Sequence, residues 1–277
     1  NNIGRSFEGF LGKDSFLSGE LLLMHLFMNE TMNESHDDKK DVVIDGVYWT
    51  KTIPFLAQNS VYDVYFLNFR NMDFLGSGNS LASYNNIGLR FNGQKANFAL
   101  ESELTLQNST GTSSNNDVSA SLFSFNLGYK PDGVGFLNSV FLGLDRISGD
   151  DSYTEIAEGF SKEFGARHKH HGFYDYNLHK KYFGHGHDGL NEINAKANID
   201  ILKRTNLLVA LHNFRSAVKD IHYGSEVNFI FKTKHNDEIS SEIGSVFYFP
   251  DQGSEKTLPF FYFCLLYTSD AADEAWC

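Results

Sequence analysis

The chain is organised by a two-residue alternation of apolar and polar positions. In Asn86–Gly93, Ile87, Leu89 and Phe91 fall on one side and Gly88, Arg90 and Asn92 on the other. In Asn97–Gln107, Phe98, Leu100, Leu104 and Leu106 oppose Ala99, Glu101, Glu103, Thr105 and Gln107. Phe123, Phe125, Leu127 and Tyr129 oppose Ser124, Asn126 and Gly128, and Val140, Leu142 and Leu144 oppose Phe141, Gly143 and Asp145. The pattern resumes with Ile193, Ala195, Ala197, Ile199 and Ile201 against Asn194, Lys196, Asn198 and Asp200. It continues with Tyr223, Ser225, Val227, Phe229 and Phe231 against Glu226, Asn228 and Lys232, with Ile230 the exception. This period belongs to strands with one wet and one dry face. Glu20–Met28, Val42–Thr50, Val61–Arg70, Leu207–His212, Ile239–Phe249 and Thr257–Phe263 bring the total to about twelve strands. Glu20–Met28 is apolar almost throughout, so a short helix also fits there.

The connections have their own pattern. Short turns (Lys130–Gly135, Thr233–Asp237) alternate with long polar loops (Asn29–Lys40, Asn71–Tyr84, Gly149–Gly189). Short on one side and long on the other is the habit of an up-and-down outer-membrane barrel. Two all-β architectures remain open. In a soluble sandwich or jelly roll the apolar set would face a core. In a membrane barrel it would face lipid, and the polar set a watery lumen. Aromatic residues near strand ends (Phe98, Tyr129, Tyr223, Phe249) have the placement of interfacial girdles.

Composition narrows the choice little. With 26 Phe, 13 Tyr, 24 Gly and only 4 Pro, the 277-residue chain suits strands and tight turns. A net charge of −12 argues against a nucleic-acid partner. No apolar run reaches the roughly 18 residues a helix needs to cross a bilayer, which leaves a β-barrel untouched. No signal peptide is visible, and the chain starts at Asn1, so an N-terminal part is expected to be processed or missing. At the other end, Cys264–Glu274 (CLLYTSDAADE) resembles translated sequencing adapter. We therefore divide the chain into a partial barrel, residues 1–263, and a non-native tail, residues 264–277, which holds both cysteines.

Three motifs in register carry a family resemblance. Leu142–Asp151 (LGLDRISGDD) is followed by Phe160–Phe164, His168 and Gly172-Phe173-Tyr174-Asp175. Asn86–Gly93 is followed by the Glu- and Gln-bearing strand that ends at Gln107. Tyr223–Phe231 (YGSEVNFIF) is followed by Val246–Gly253 (VFYFPDQG). From Ile87 to Gly253 these resemble, in order and spacing, the alginate export family of outer-membrane β-barrels. The resemblance implies an 18-stranded monomeric barrel in a Gram-negative outer membrane. Its pore would pass an anionic polysaccharide or other polar solute, fed by periplasmic export partners. On this reading the chain is an incomplete barrel, expected as an open, curved sheet or a smaller barrel. Arg90 stands at the family's motif arginine and is expected in the lumen. Alternation alone adds Glu101, Glu103, Lys196, Glu226 and Lys232 to the pore lining, and places Arg70 and Arg204 inward. The acidic members dilute the basic conduit that a polyanion would need.

Other constellations have plain structural readings. Asp145, Asp150 and Asp151 around Ser148-Gly149 could bind calcium, but they do not have EF-hand spacing; the plain reading is a strand-end turn in which these aspartates cap local N–H groups. His168, His170, His171, His179, His185 and His187 crowd one loop without a paired Cys or a fixed helical spacing. Ser102 and Ser225 lack a G-x-S-x-G elbow, with His212 and His222 nearby in sequence only, and Glu101/Glu103 read as lumen carboxylates. No enzyme activity, cofactor or metal is expected; the alternatives are calcium at the aspartates and zinc, copper or nickel at the loop histidines.

Overall fold

A computed structural model of the chain describes residues 7–28, 42–54, 58–70, 83–109, 117–151, 153–154, 156–161, 171–173, 187–219, 221–251, 256–267 and 275–276. They form β1 (Phe7–Phe16), β2 (Gly19–Met28), β3 (Val43–Thr52), β4 (Gln58–Arg70), β5 (Ser83–Lys95), β6 (Phe98–Ser109) and β7 (Ser119–Tyr129). Then follow β8 (Leu137–Ile147), β9 (Leu190–Leu202), β10 (Thr205–Arg215), β11 (His222–Lys234), β12 (Ile239–Pro250), β13 (Leu258–Tyr267) and the two-residue β14 (Ala275–Trp276). All lie in one sheet in chain order, each antiparallel to its neighbours. The sheet is open: β1 pairs only with β2, and β14 only with β13. The described residues contain no helix, so Glu20–Met28 is a strand.

Strands of 10 to 13 residues reach about 33–43 Å at the usual strand rise. One rim carries the tight connections, such as 17–18, 96–97 and 203–204, and the other the long ones, above all 148–189. The tightest hairpin turns at Leu17 and Ser18, both with positive φ (50° and 58°), the backbone of a type I′ turn. β1 has no counterpart among the expected strands. Its sequence, FEGFLGKDSF, breaks alternation with two glycines and a Lys-Asp pair, and it is a strand because it pairs with β2 over its full length.

The alternating faces are those expected in β5 to β9 and in β11, with one exception. Tyr223 turns inward and is buried, its hydroxyl donating to the Gly189 carbonyl at 3.1 Å. The cause is an irregularity where β10 meets β11 at Phe214/Arg215, beside Gly224, whose φ of +145° any side chain would strain. Tyr223 is therefore no rim aromatic, whereas Phe98, Tyr129 and Phe249 are exposed. Arg70 is also corrected: it shares the outer face with Val64 and Phe66 and binds Asp45 there at 2.5 Å. Arg204 lies in the β9–β10 turn and donates to the His235 carbonyl.

The polarity of burial runs opposite to that of a water-soluble sheet. On the inner face Asp63, Thr105, Gln107, Asp145, Glu192, Asn194, His212, Glu226 and Asn228 are buried. On the outer face Leu89, Leu142, Ile193, Leu211 and Ile243 are at least half exposed. Register joins the outer residues into belts: Leu23–Val47–Phe66–Ile87–Leu106 across β2 to β6, and Leu142–Ala195–Leu211–Val227–Phe247 across β8 to β12. Apolar packing on the inner face gathers toward the long-loop rim. One cluster holds Ile147, Phe160, Leu190, Phe214, Tyr223 and Tyr248; another holds Val42, Ile44, Phe69, Tyr84, Val118 and Ala157. β13 runs through Phe263 to Tyr267, with Cys264 buried.

Candidate functional site: a polar inner face covered by a loop

The segment after β8 folds inward. Ser148 starts it, its hydroxyl donating to the Glu158 carbonyl and accepting from the Ser121 N–H. Ala157 bridges to Val118 beside β7. Ser161 then meets β6: its N–H donates to Gln107 Oε1 at 2.9 Å, and Gln107 Nε2 donates to its carbonyl at 3.1 Å. His171 reaches β9 through Glu192 at 2.6 Å. The Phe173 N–H donates to Glu226 Oε1 on β11 at 2.8 Å, and its ring stacks on Tyr262 of β13 at 5.2 Å. Gly172 makes the approach possible: its φ is +74°, and a Cβ there would collide with the Glu226 carboxylate. The described parts of this segment thus meet the inner face at β6, β9, β11 and β13.

Between that loop and strands β3–β8 lies a cavity of about 530 Å³. Its wall includes Tyr48, Tyr65, Arg90, Glu101, Glu103, Asp145, Phe160 and His171. Tyr48 and Tyr65 stack face to face, 5.4 Å apart and 1° from parallel. The Tyr65 hydroxyl donates to Glu103 at 2.6 Å, and a side chain on Gly88 would collide with the Tyr65 ring. Arg90 donates to Glu101 at 2.6 Å and to Asp63 at 3.4 Å.

Beside this cavity is a compact buried group. Glu192 is fully buried and sits between two imidazoles, His171 Nδ1 at 2.6 Å from one oxygen and His212 Nδ1 at 2.7 Å from the other. Asn194 donates to the same carboxylate at 3.2 Å. Asp145 lies directly across from Glu192 in the β8–β9 register, with Oδ2 3.7 Å from His171 Nδ1.

Comparison with protein-family models, curated proteins and solved structures finds no match.

The expected pore-lining residues all carry inward-facing side chains. Arg90, Glu101 and Glu103 belong to the cavity wall. Lys196 faces inward on β9, opposite Phe141 and Ala210. Glu226 is fully buried under Phe173, and Lys232 pairs with Glu242 at 2.9 Å near the short-turn rim. The acidic trio does not assemble: Asp150 Oδ1 caps the Glu158 N–H and Asp151 Oδ1 caps the Tyr153 N–H. Asp145 instead joins His171 and Glu192. His168 lies outside the described residues. Ser102 and Ser225 point to the outer face, away from His212, and Ser225 accepts from Asn213.

Sequence reasoning missed Glu192, Asp63 and the special position of His171. Glu192 precedes the first residue of the alternating run, Ile193, although its own parity already matched Asn194 and Lys196. His171 is one of six histidines in the loop, and nothing in its spacing marks it out.

Proposed function

We propose that this sheet is part of the wall of a porin-like outer-membrane channel that passes a polar solute through its inner face. The observation that carries the reading is the inverted polarity: a continuous apolar belt lies outside, and charged and amide side chains are buried inside. In water each exposed apolar Å² costs about 25 cal/mol, so such a belt is favourable only against an apolar medium. The strand lengths, the one-sided long loops and the exposed aromatics at both rims fit a bilayer span. A soluble sandwich would need a second sheet on the apolar face; all strands among the described residues belong to one sheet. Lipid tolerates no unpaired strand edge, so a channel built on this sheet requires its open edges to be paired. The likeness to alginate export barrels belongs to this proposal as its architecture.

The lining argues for a neutral or cationic cargo rather than a polyanion. On β4–β12 the inward acids Asp63, Glu101, Glu103, Asp145, Glu192, Asp200, Glu226 and Glu242 outnumber Arg90, Lys196, Lys232 and Lys234. Arg90, at the position where a polyuronate would need a cation, is ion-paired with Glu101 and Asp63. The stacked Tyr48 and Tyr65 offer a flat aromatic surface on which a sugar ring can rest. Conductance of the protein in planar bilayers tests this. The expected result is a cation-preferring pore, permeable to neutral sugars and unaffected by polyuronate. A protein found in the soluble fraction of the producing cell, or a pore blocked by polyuronate at low concentration, would overturn it.

A further inference from the structure

The buried group around Glu192 is built like a metal site. Asp145 and Glu192 face each other across β8 and β9, and like charges in that position repel. Both are buried, where an uncompensated carboxylate is costly. Among the described residues the cationic partners within 4 Å are imidazoles; Ser124 also hydrogen-bonds Asp145, and Lys196 acts on it only through its charge. Asp145 Oδ1 is buried with no hydrogen-bond partner, and so is Asn194 Oδ1 on the same face. The protein has therefore gathered two carboxylates, two histidines and an unsatisfied acceptor in one buried place at the cavity wall.

We propose that Asp145, His171 and Glu192 bind a divalent transition-metal ion of zinc type. One donor atom from each of the three lies within 4.8 Å of the other two. Zinc holds carboxylate oxygens and imidazole nitrogens at about 2.0–2.2 Å, so closing on the ion needs shifts on the order of 1 Å, within side-chain rotation. Two carboxylates and one neutral imidazole exactly balance a 2+ charge. His212, on the second oxygen of Glu192, orients that carboxylate as outer partners of metal ligands do. Calcium prefers six to eight oxygens, and this set offers a nitrogen and few oxygens. The ion would also act mechanically. His171 belongs to the inserted loop, while Asp145 and Glu192 belong to the wall, so the metal clips loop to sheet beside the cavity.

The site rests on side-chain geometry and does not depend on where the protein resides. Its test is zinc titration of the purified protein, with proteolysis of the loop as a second readout. Wild type should bind one tight equivalent, resist displacement by excess calcium, and gain protease protection within residues 148–189. Asp145→Asn, which preserves shape, and His171→Ala, which lies off the sheet, should each lose the tight equivalent and the protection. His212→Gln should weaken binding about 10-fold or more without abolishing it. Unchanged binding in both Asp145→Asn and His171→Ala, with folding intact by circular dichroism, would mean adventitious zinc on other loop histidines and would overturn the proposal. Displacement by calcium would overturn the choice of metal.

Discussion

Leu144 and Asp145 are adjacent in β8 and meet opposite fates. Leu144 is 42% exposed on the outer face, and Asp145 is 6% exposed on the inner one. The same contrast recurs at Ile193 beside Glu192 and at Leu211 beside His212. Hydropathy does not decide burial here. The inner face is buried because a loop is laid over it and because its polar groups pair with one another. The outer face is bare: none of the described residues covers it. A polar interior can be buried when its carboxylates find imidazole, amide and hydroxyl partners, and an apolar exterior can persist when the surrounding medium is apolar.

Several substitutions would break or sharpen this contrast. The largest effect should come from Glu192→Ala, which removes the carboxylate shared by His171 and His212. We expect a loss of about 3–5 kcal/mol in unfolding free energy from urea titration. Next is Leu211→Arg, in the middle of the outer belt, with an expected cost of about 2–4 kcal/mol and a fall in membrane-assembled protein measured by fractionation. On the inner face Phe173→Ala should leave assembly intact but release the loop from Tyr262, raising single-channel conductance. Lys196→Glu should change stability little and strengthen cation preference, read as a shift in reversal potential. The smallest effect belongs to the turn residue Asp237. Lys234 holds its carboxyl below the ordinary range by hydrogen bonding and charge. Any stabilisation would be present above the unfolded carboxylate range and lost as pH falls through the lowered value. Both groups are exposed, so Asp237→Asn should leave the melting temperature at neutral pH unchanged.

Much of the sheet could be read from residue patterns alone, because a period of two is a strong signal wherever one face is apolar. That held between Asn86 and Phe231, where side-chain parity assigned the faces of β5 to β9 and β11 and was broken at the Tyr223 irregularity; Leu207–His212 and Ile239–Phe249 read as strands without faces. It failed at Phe7–Phe16, where glycines and charges hide a strand that only pairing with β2 reveals. It failed again at Arg70, where the outer face carries a local trio of His25, Asp45 and Arg70 that alternation does not distinguish from a lumen group. The site was harder. Inward direction could be assigned to Arg90, Glu101, Glu103, Lys196, Glu226 and Lys232, but partners could not. The meeting of His171 with Glu192 spans 21 residues across a loop, and no local spacing encodes it. The open sheet was expected and is what the chain forms.

The proposal that the outward apolar belt faces lipid is tested most directly by residue-by-residue accessibility along β8. Single cysteines at positions 140 to 146, in a background with Cys264 and Cys277 replaced by serine, can be probed in membranes of the producing cell with lipid-confined and water-confined reagents. We predict strict alternation: positions 140, 142 and 144 reached from lipid, and 141, 143 and 145 shielded from it. Water-confined labelling of 142 and 144, with no lipid-confined labelling at any position, would contradict the channel wall and place the belt in water or against another protein.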